Sequence, residues 1–256
     1  METGAANNPA VEQPTPGEAR RPEALAFGTL ALLHLLPGAF GATVYVVLAG
    51  PVAAAGYPPL AALLLAVAAV ILPIEMAIMA YARAFGQATY RQPVSRRTWI
   101  WLVPALLAAA VLGSAILTPA DAYIAQLAFA WLPEWYLRPI DFDAASRYSA
   151  SAWTITLAAY LILNGVAGPI VEELYFRGWL LPRTHRFGRW APLLNVVLFS
   201  LYHFWAPWQF LSRVAAVAPF AYAVWWRRNV YLGMLVHVTL NTIGGIIVIA
   251  AIAARL

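Results

Sequence analysis

The sequence predicts an all-α membrane protein: a polytopic bundle of about seven transmembrane helices, with an interfacial segment between the third and fourth. Three observations carry this reading. Of 256 residues, 62% are hydrophobic and 11% charged, against roughly 45–50% and 25% in soluble domains. The mean hydropathy is +0.71. Apolar stretches of about 20 residues, the helix length that crosses a bilayer core, recur along the chain between short loops that carry arginines.

Residues 1–23 ("METGAANNPAVEQPTPGEARRPE") are polar, with Pro and Gly and no hydrophobic period, and are expected to form a disordered cytoplasmic N-terminus. The apolar run that follows is too long for the h-region of a signal peptide. Spans are expected at about 24–49, 59–83, 98–118, 150–181, 189–206, 209–226 and 229–252. Residues 24–149 would hold the N-terminal helices and an interfacial loop, and 150–256 the helices that carry the chemistry. Residues 119–149 are not apolar enough to span. They contain "WLPEWYLRPIDFDAASRY", where Trp131, Trp135 and Tyr136 accompany acids and prolines, a composition suited to the headgroup level.

All sixteen basic residues are arginines. Seven spans with the N-terminus inside place Arg20, Arg21, Arg83, Arg91, Arg96, Arg97, Arg183, Arg186, Arg189, Arg227 and Arg228 on the cytoplasmic side. Arg138, Arg147, Arg213 and Arg255 fall opposite, together with Asp121, Glu134, Asp141 and Asp143. This is the asymmetry of the positive-inside rule. The expected location is a cell membrane of the bacterial inner-membrane type, multi-pass, with a cytoplasmic N-terminus. The arginines are scattered over short loops rather than gathered on one face, so the lipid bilayer is the expected partner and nucleic acid is not. The absence of cysteine excludes disulfide frameworks, thiol nucleophiles and Cys-ligated metals. No internal repeat is visible, which argues against an inverted-repeat transporter.

Within the fourth span, "EELYFRG" places Glu172, Glu173 and Arg177 in an apolar run. A carboxylate at a helix centre costs about 2.5–3.5 kcal/mol on the insertion scale. Glu173 and Arg177 are i, i+4 with the acid first, the favourable order for a helix ion pair. Glu172 is turned about 100° away, leaving one neutralised glutamate and one free to accept a proton from water. In the fifth span Phe199 and His203 ("FSLYH") are i, i+4, and in the seventh so are His237 and Asn241 ("HVTLN"). From the cytoplasmic ends of their spans, the helix rise puts Glu172 about 15 Å, His203 about 20 Å and His237 about 12 Å deep. The three can meet at one level. Glu75 and His34 also lie in spans, Glu75 being the stronger candidate to support this site. Pro169, after Asn164, Gly165 and Gly168, is expected to kink the helix and free backbone carbonyls.

These three segments resemble the three motifs of the CPBP intramembrane protease family, which includes the type II CAAX prenyl endopeptidases and bacteriocin-processing or self-immunity proteins. "EELYFRG" is similar to E-E-x-x-x-R, "FSLYH" to F-x-x-x-H and "HVTLN" to H-x-x-x-N, over about residues 150–252. The resemblance implies an endopeptidase acting on a membrane-associated protein or peptide. Glu172 and His203 would activate water, with His237 and Asn241 as donors to the oxyanion. Glu173, Arg177 and Phe199 would support them. No metal or other cofactor is expected, Asn being a poor zinc ligand. The alternative is zinc on Glu172, His203 and His237, the ligand set of an open catalytic site, although the H-E-x-x-H helix is missing. The rival readings are a non-catalytic scaffold or immunity protein of the same fold, and a proton-coupled transporter.

Overall fold

The structure is a computed structural model that describes residues 22–83 and 90–256. The disorder expected of residues 1–23, and Arg20 and Arg21 with it, falls almost wholly outside the described residues. The described chain is helical, with no strand among the described residues beyond an isolated bridge between Arg91 and Asn229.

Helix α1 (Phe27–Ala54) is followed by α2 (Pro59–Tyr81) and α3 (Arg96–Ala128). After a non-spanning segment come α4 (150–180), a tight 3₁₀ stretch Leu181–Trp190, α5 (Ala191–Tyr202), α6 (Phe210–Arg227) and α7 (Val230–Ala253). Three helices start at a side-chain N-cap. The side chains of Ser95, Ser149 and Asn229 accept from the N–H groups of Thr98, Ala152 and Leu232 at 3.2, 3.1 and 3.2 Å, which satisfies otherwise orphaned donors.

Among the described residues, five runs are long and apolar enough to cross a membrane: α1, α2, α3, the continuous run Ala150–Tyr202, and α7. The chain is thus a multi-pass membrane protein. Two expected spans, 150–181 and all but the last four residues of 189–206, fall within the single run of 53 residues. As one straight helix it would reach about 80 Å, against a core of about 30 Å. It turns instead at Gly188, whose φ of 52° belongs to the left-handed region. The segment expected at 209–226 corresponds to α6, which is not among the five.

Two expectations are corrected. Helix α3 continues to Ala128, so the first ten residues of the supposed interfacial segment are helical. Asp121 is buried there, accepting a short hydrogen bond from Ser212 on α6, because α3 packs along α6. The remainder, 129–149, holds a one-turn helix Glu134–Leu137 and a 3₁₀ turn Ala145–Arg147. It is tied down by Tyr45 donating to the Trp135 carbonyl and Tyr136 to the Phe204 carbonyl, at 3.1 and 2.9 Å.

The second correction concerns helix period. α2 and α4 contain wide π turns at Val67–Ile71 and Leu161–Ala167. Each ends two residues before a proline, Pro73 and Pro169, whose missing N–H leaves the ordinary ladder incomplete. A third π stretch, Glu173–Leu180, carries the charged residues of α4. The outer surface of the bundle is apolar, with Ile116, Ile100 and Ile247 exposed. Glu75, Glu173, Arg177 and His34 are completely buried. This distribution is the reverse of a soluble domain's and fits a lipid surround.

Candidate active site

Arg177 is the starting point because nothing about it is exposed. Its Nη1 lies 3.2 Å from Glu173 Oε1, and both side chains are at 0% exposure. The guanidinium has no well-aligned hydrogen bond to any acceptor, so the pair is an electrostatic contact rather than a two-pronged fork. Its faces are covered by aromatic rings: Phe199 at 4.1 Å, Phe220 at 5.7 Å and Phe176 at 5.9 Å from the guanidinium carbon. Desolvated cation–π contacts of this kind are worth about 2 kcal/mol. Phe199 thus supports the site through the arginine, and its ring also meets that of His203 at 4.8 Å.

Glu173 has a second partner. Its Oε1 lies 3.1 Å from His237 Nδ1, so the imidazole donates Nδ1–H to the carboxylate. Gly233, one turn before His237, is what admits this carboxylate. A Cβ there would overlap Glu173 Oε2 and press on Val224 Cγ2 at 2.9 Å. With Nδ1 turned to Glu173, the ring's Nε2 faces Glu172 Oε2 at 3.9 Å. The Tyr202 hydroxyl also donates to Glu172, to its Oε1 at 3.5 Å. The division expected from helix geometry is therefore present: one glutamate is held by Arg177, and its neighbour faces another way.

His203 differs from its expected place on a helix face. α5 has 12 residues, about 18 Å of helix, and stops inside the bundle at Tyr202. His203 is its C-cap, with φ −81° and ψ 61°. Its Nδ1 donates to the Phe199 carbonyl at 2.8 Å, a side-chain cap on a carbonyl of the last turn. The Nε2 lone pair is left free.

Glu172, His203, His237 and Asn241 all line one cavity of ≈ 660 Å³. It reaches from Phe199 and Tyr202 to Leu137, Pro139 and Ile140 of the non-spanning segment, with Leu60 and Leu63 of α2 on its wall. Asn241 has a second engagement. Its Nδ2 donates to the Asn164 carbonyl at 2.9 Å, and Thr242 Oγ1 donates to the Gly165 carbonyl at 3.3 Å. Pro169, four and five residues further on, has no N–H, so this stretch of α4 is one backbone donor short. α7 side chains close the gap, and one N–H of Asn241 still remains.

Of the two candidates outside the motifs, His34 is structural. Its Nδ1 donates to the Leu30 carbonyl at 2.8 Å, and its Nε2 accepts from Asn195 Nδ2 at 3.0 Å. Asn195 also donates to the Phe176 carbonyl at 3.0 Å, so the imidazole links α1 to α5 far from any solvent. Glu75, by contrast, sits beside Glu172, Tyr202, Tyr175 and Arg177. Neither of its oxygens has an aligned hydrogen bond. The sequence reading missed Arg213 and Tyr202, which also line the cavity. For Arg213 the signal was present: an arginine one turn into the apolar run "FLSRVAAVAPF".

Among the described residues, no three His, Asp or Glu side chains are gathered closely enough to hold a metal ion. Glu172 and His237 approach each other, and His203 does not close the set.

Fold and site together define a polytopic membrane protein with a buried carboxylate–imidazole cluster opening on a cavity. Residues 154–243 match the family model described as type II CAAX prenyl endopeptidase Rce1-like. The match covers less than half of the chain, contains all three motif segments, and agrees with the resemblance that those motifs carry. It aligns this part of the protein with proteases of the CAAX type or proteins of that fold. No curated protein and no solved structure matches the chain significantly.

Proposed function

We propose that the protein is an intramembrane endopeptidase that hydrolyses a peptide bond in a membrane-associated protein or peptide. The observation that carries this reading is the convergence of Glu172, His203, His237 and Asn241, from two helices and the end of a third, on one cavity. A water between Glu172 and His203 donates one hydrogen to each, Glu172 as carboxylate and His203 through Nε2. Its lone pair is then free to attack the peptide carbonyl, and Glu172 takes the proton as the carbon–oxygen bond forms. The tetrahedral oxyanion accepts from the remaining N–H of Asn241, and from His237 Nε2 when that ring is doubly protonated. As the carbon–nitrogen bond breaks, the proton on Glu172 passes to the leaving amine. Glu173 and Arg177 are positioning residues that hold His237. The reading uses the chain's own groups and requires no metal.

The test is a census of new protein N-termini in membranes that express the wild type, Glu172→Ala or His203→Ala at equal levels. N-termini present with the wild type and absent with both variants support hydrolysis. Identical N-termini in all three membranes overturn it and leave a binding protein of the same fold.

A further inference from the structure

Arg213 is the one arginine lining the cavity among the described residues, and the mechanism above does not use it. It lies in the first turn of α6, close enough to Glu172, Asp121 and Tyr202 to interact with them electrostatically. Among the described residues, no carboxylate lies within ion-pair distance of it. Asp121 is turned to Ser212 instead. The guanidinium is held in place by neutral acceptors. Its Nη2 donates to Gln209 Oε1 at 2.9 Å, and its Nη1 to the Ala206 carbonyl at 3.4 Å. A guanidinium has five N–H donors, so these two contacts leave three. Beside the polar cluster, the wall of the same cavity carries apolar side chains, among them Leu107, Ala110, Val217 and Leu240.

An oriented cation with spare donors in an apolar cavity is a recognition element for a planar anion, because guanidinium and carboxylate match two bonds to two. A few fixed polar groups of this kind orient a ligand in an otherwise greasy site. We propose that Arg213 is a specificity-determining residue that binds a carboxylate of the substrate within the cavity. This rests on the peptidase reading and names the chemistry that the cavity selects. The carboxylate has two possible sources, the free C-terminus of the peptide or an aspartate or glutamate side chain.

Binding, rather than turnover, separates this proposal from the failure of the peptidase reading. The purified full-length Glu172→Gln protein in mild detergent is titrated with three fluorescein-labelled hexapeptides, and anisotropy is read. The probes are Ala-Val-Leu-Ala-Val-Leu as the free acid, the same peptide as the carboxamide, and a carboxamide with Asp replacing the last Leu. The free acid should bind about tenfold or more tighter than its carboxamide, as expected for a hydrogen-bonded charge pair. Adding Arg213→Gln should bring the two within about twofold, and Arg213→Lys, which keeps the charge without the fork, should give an intermediate ratio. If the Asp-bearing carboxamide gains the same advantage, an acidic side chain is also accepted; if it does not, the C-terminus is the source. Thermal unfolding of each variant shows that the protein is folded, and Arg213→Lys carries the test if Arg213→Gln is not. Equal affinity of acid and carboxamide, a preference that survives Arg213→Gln, or no binding of any probe at about 1 mM would each overturn the proposal. Hydrolysis of the same peptides by the wild type is scored separately and bears only on the peptidase reading.

Discussion

Replacing Arg177 with alanine should destabilise the protein before it affects the chemistry directly. The change leaves Glu173 buried at 0% exposure, and removing one partner of a buried pair costs about 3–5 kcal/mol. The contact with Phe199 at 4.1 Å is lost as well, worth about 2 kcal/mol where desolvated. Glu173 keeps one partner, His237 Nδ1 at 3.1 Å, and the pieces of one network do not add. The expected loss is therefore about 3 kcal/mol, the lower end of the range for the pair. At about 2–4 °C per kcal/mol for a long chain, Tm should fall by about 6–12 °C. Thermal unfolding in mild detergent, followed by the emission of the protein's tryptophans, measures it. Arg177→Lys should recover part of the loss, since the native contact is a point-charge contact without an aligned fork. Combining Glu173→Gln with Arg177→Met, which removes both charges, should cost less than Arg177→Ala alone. An unchanged Tm for Arg177→Ala, together with a raised KM, would refute this reasoning and make the arginine a substrate contact.

Gly233→Ala places a methyl group against Glu173 Oε2 and Val224. It should cost about 1–3 kcal/mol by overpacking and lower kcat more than it raises KM, because Glu173 holds the His237 ring; full activity with a native Tm would show that the carboxylate has room. Asn195→Leu removes the donor to His34 Nε2 and to the Phe176 carbonyl, a loss of about 1–3 kcal/mol for buried groups left unpaired. Activity per folded molecule should be unchanged, and a selective loss of kcat would give His34 a part in the chemistry. Chelation should leave the peptidase active, as measured on protein purified without added metal with zinc quantified. Near-stoichiometric zinc, with activity lost on chelation and restored by zinc alone, would reverse the metal-free reading.

The pairing of Glu173 with Arg177 was legible from residues four apart, and it holds although their stretch of α4 is wound as a π-helix. A step of one residue turns a side chain by about 100°, and a step of four brings it back to the same face, so Glu173 with Arg177 and Glu172 apart from them could be read from "EELYFRG". The membrane class followed as directly, since long apolar runs have few other uses. The N-caps at Ser95, Ser149 and Asn229 are also local, each acting over three residues. What only the tertiary structure decided lies where one helix meets another. The His237 ring is turned by Glu173, sixty-four positions away in the chain, and no spacing within "HVTLN" contains that. His203 stands at a helix end because α5 stops inside the bundle, where its last carbonyls find a side-chain donor instead of another turn. Asn241 donates to a carbonyl on a different helix. The seven-span reading puts Asp121 and Arg213 on the side opposite the N-terminus, Asp121 beyond the third expected span and Arg213 near one end of the sixth. The continuation of α3 to Ala128 and its packing on α6 draw them into the protein. A sequence records which residues lie four apart, but the local winding of a helix and the partners that a buried polar group finds across helices are fixed only when the helices pack.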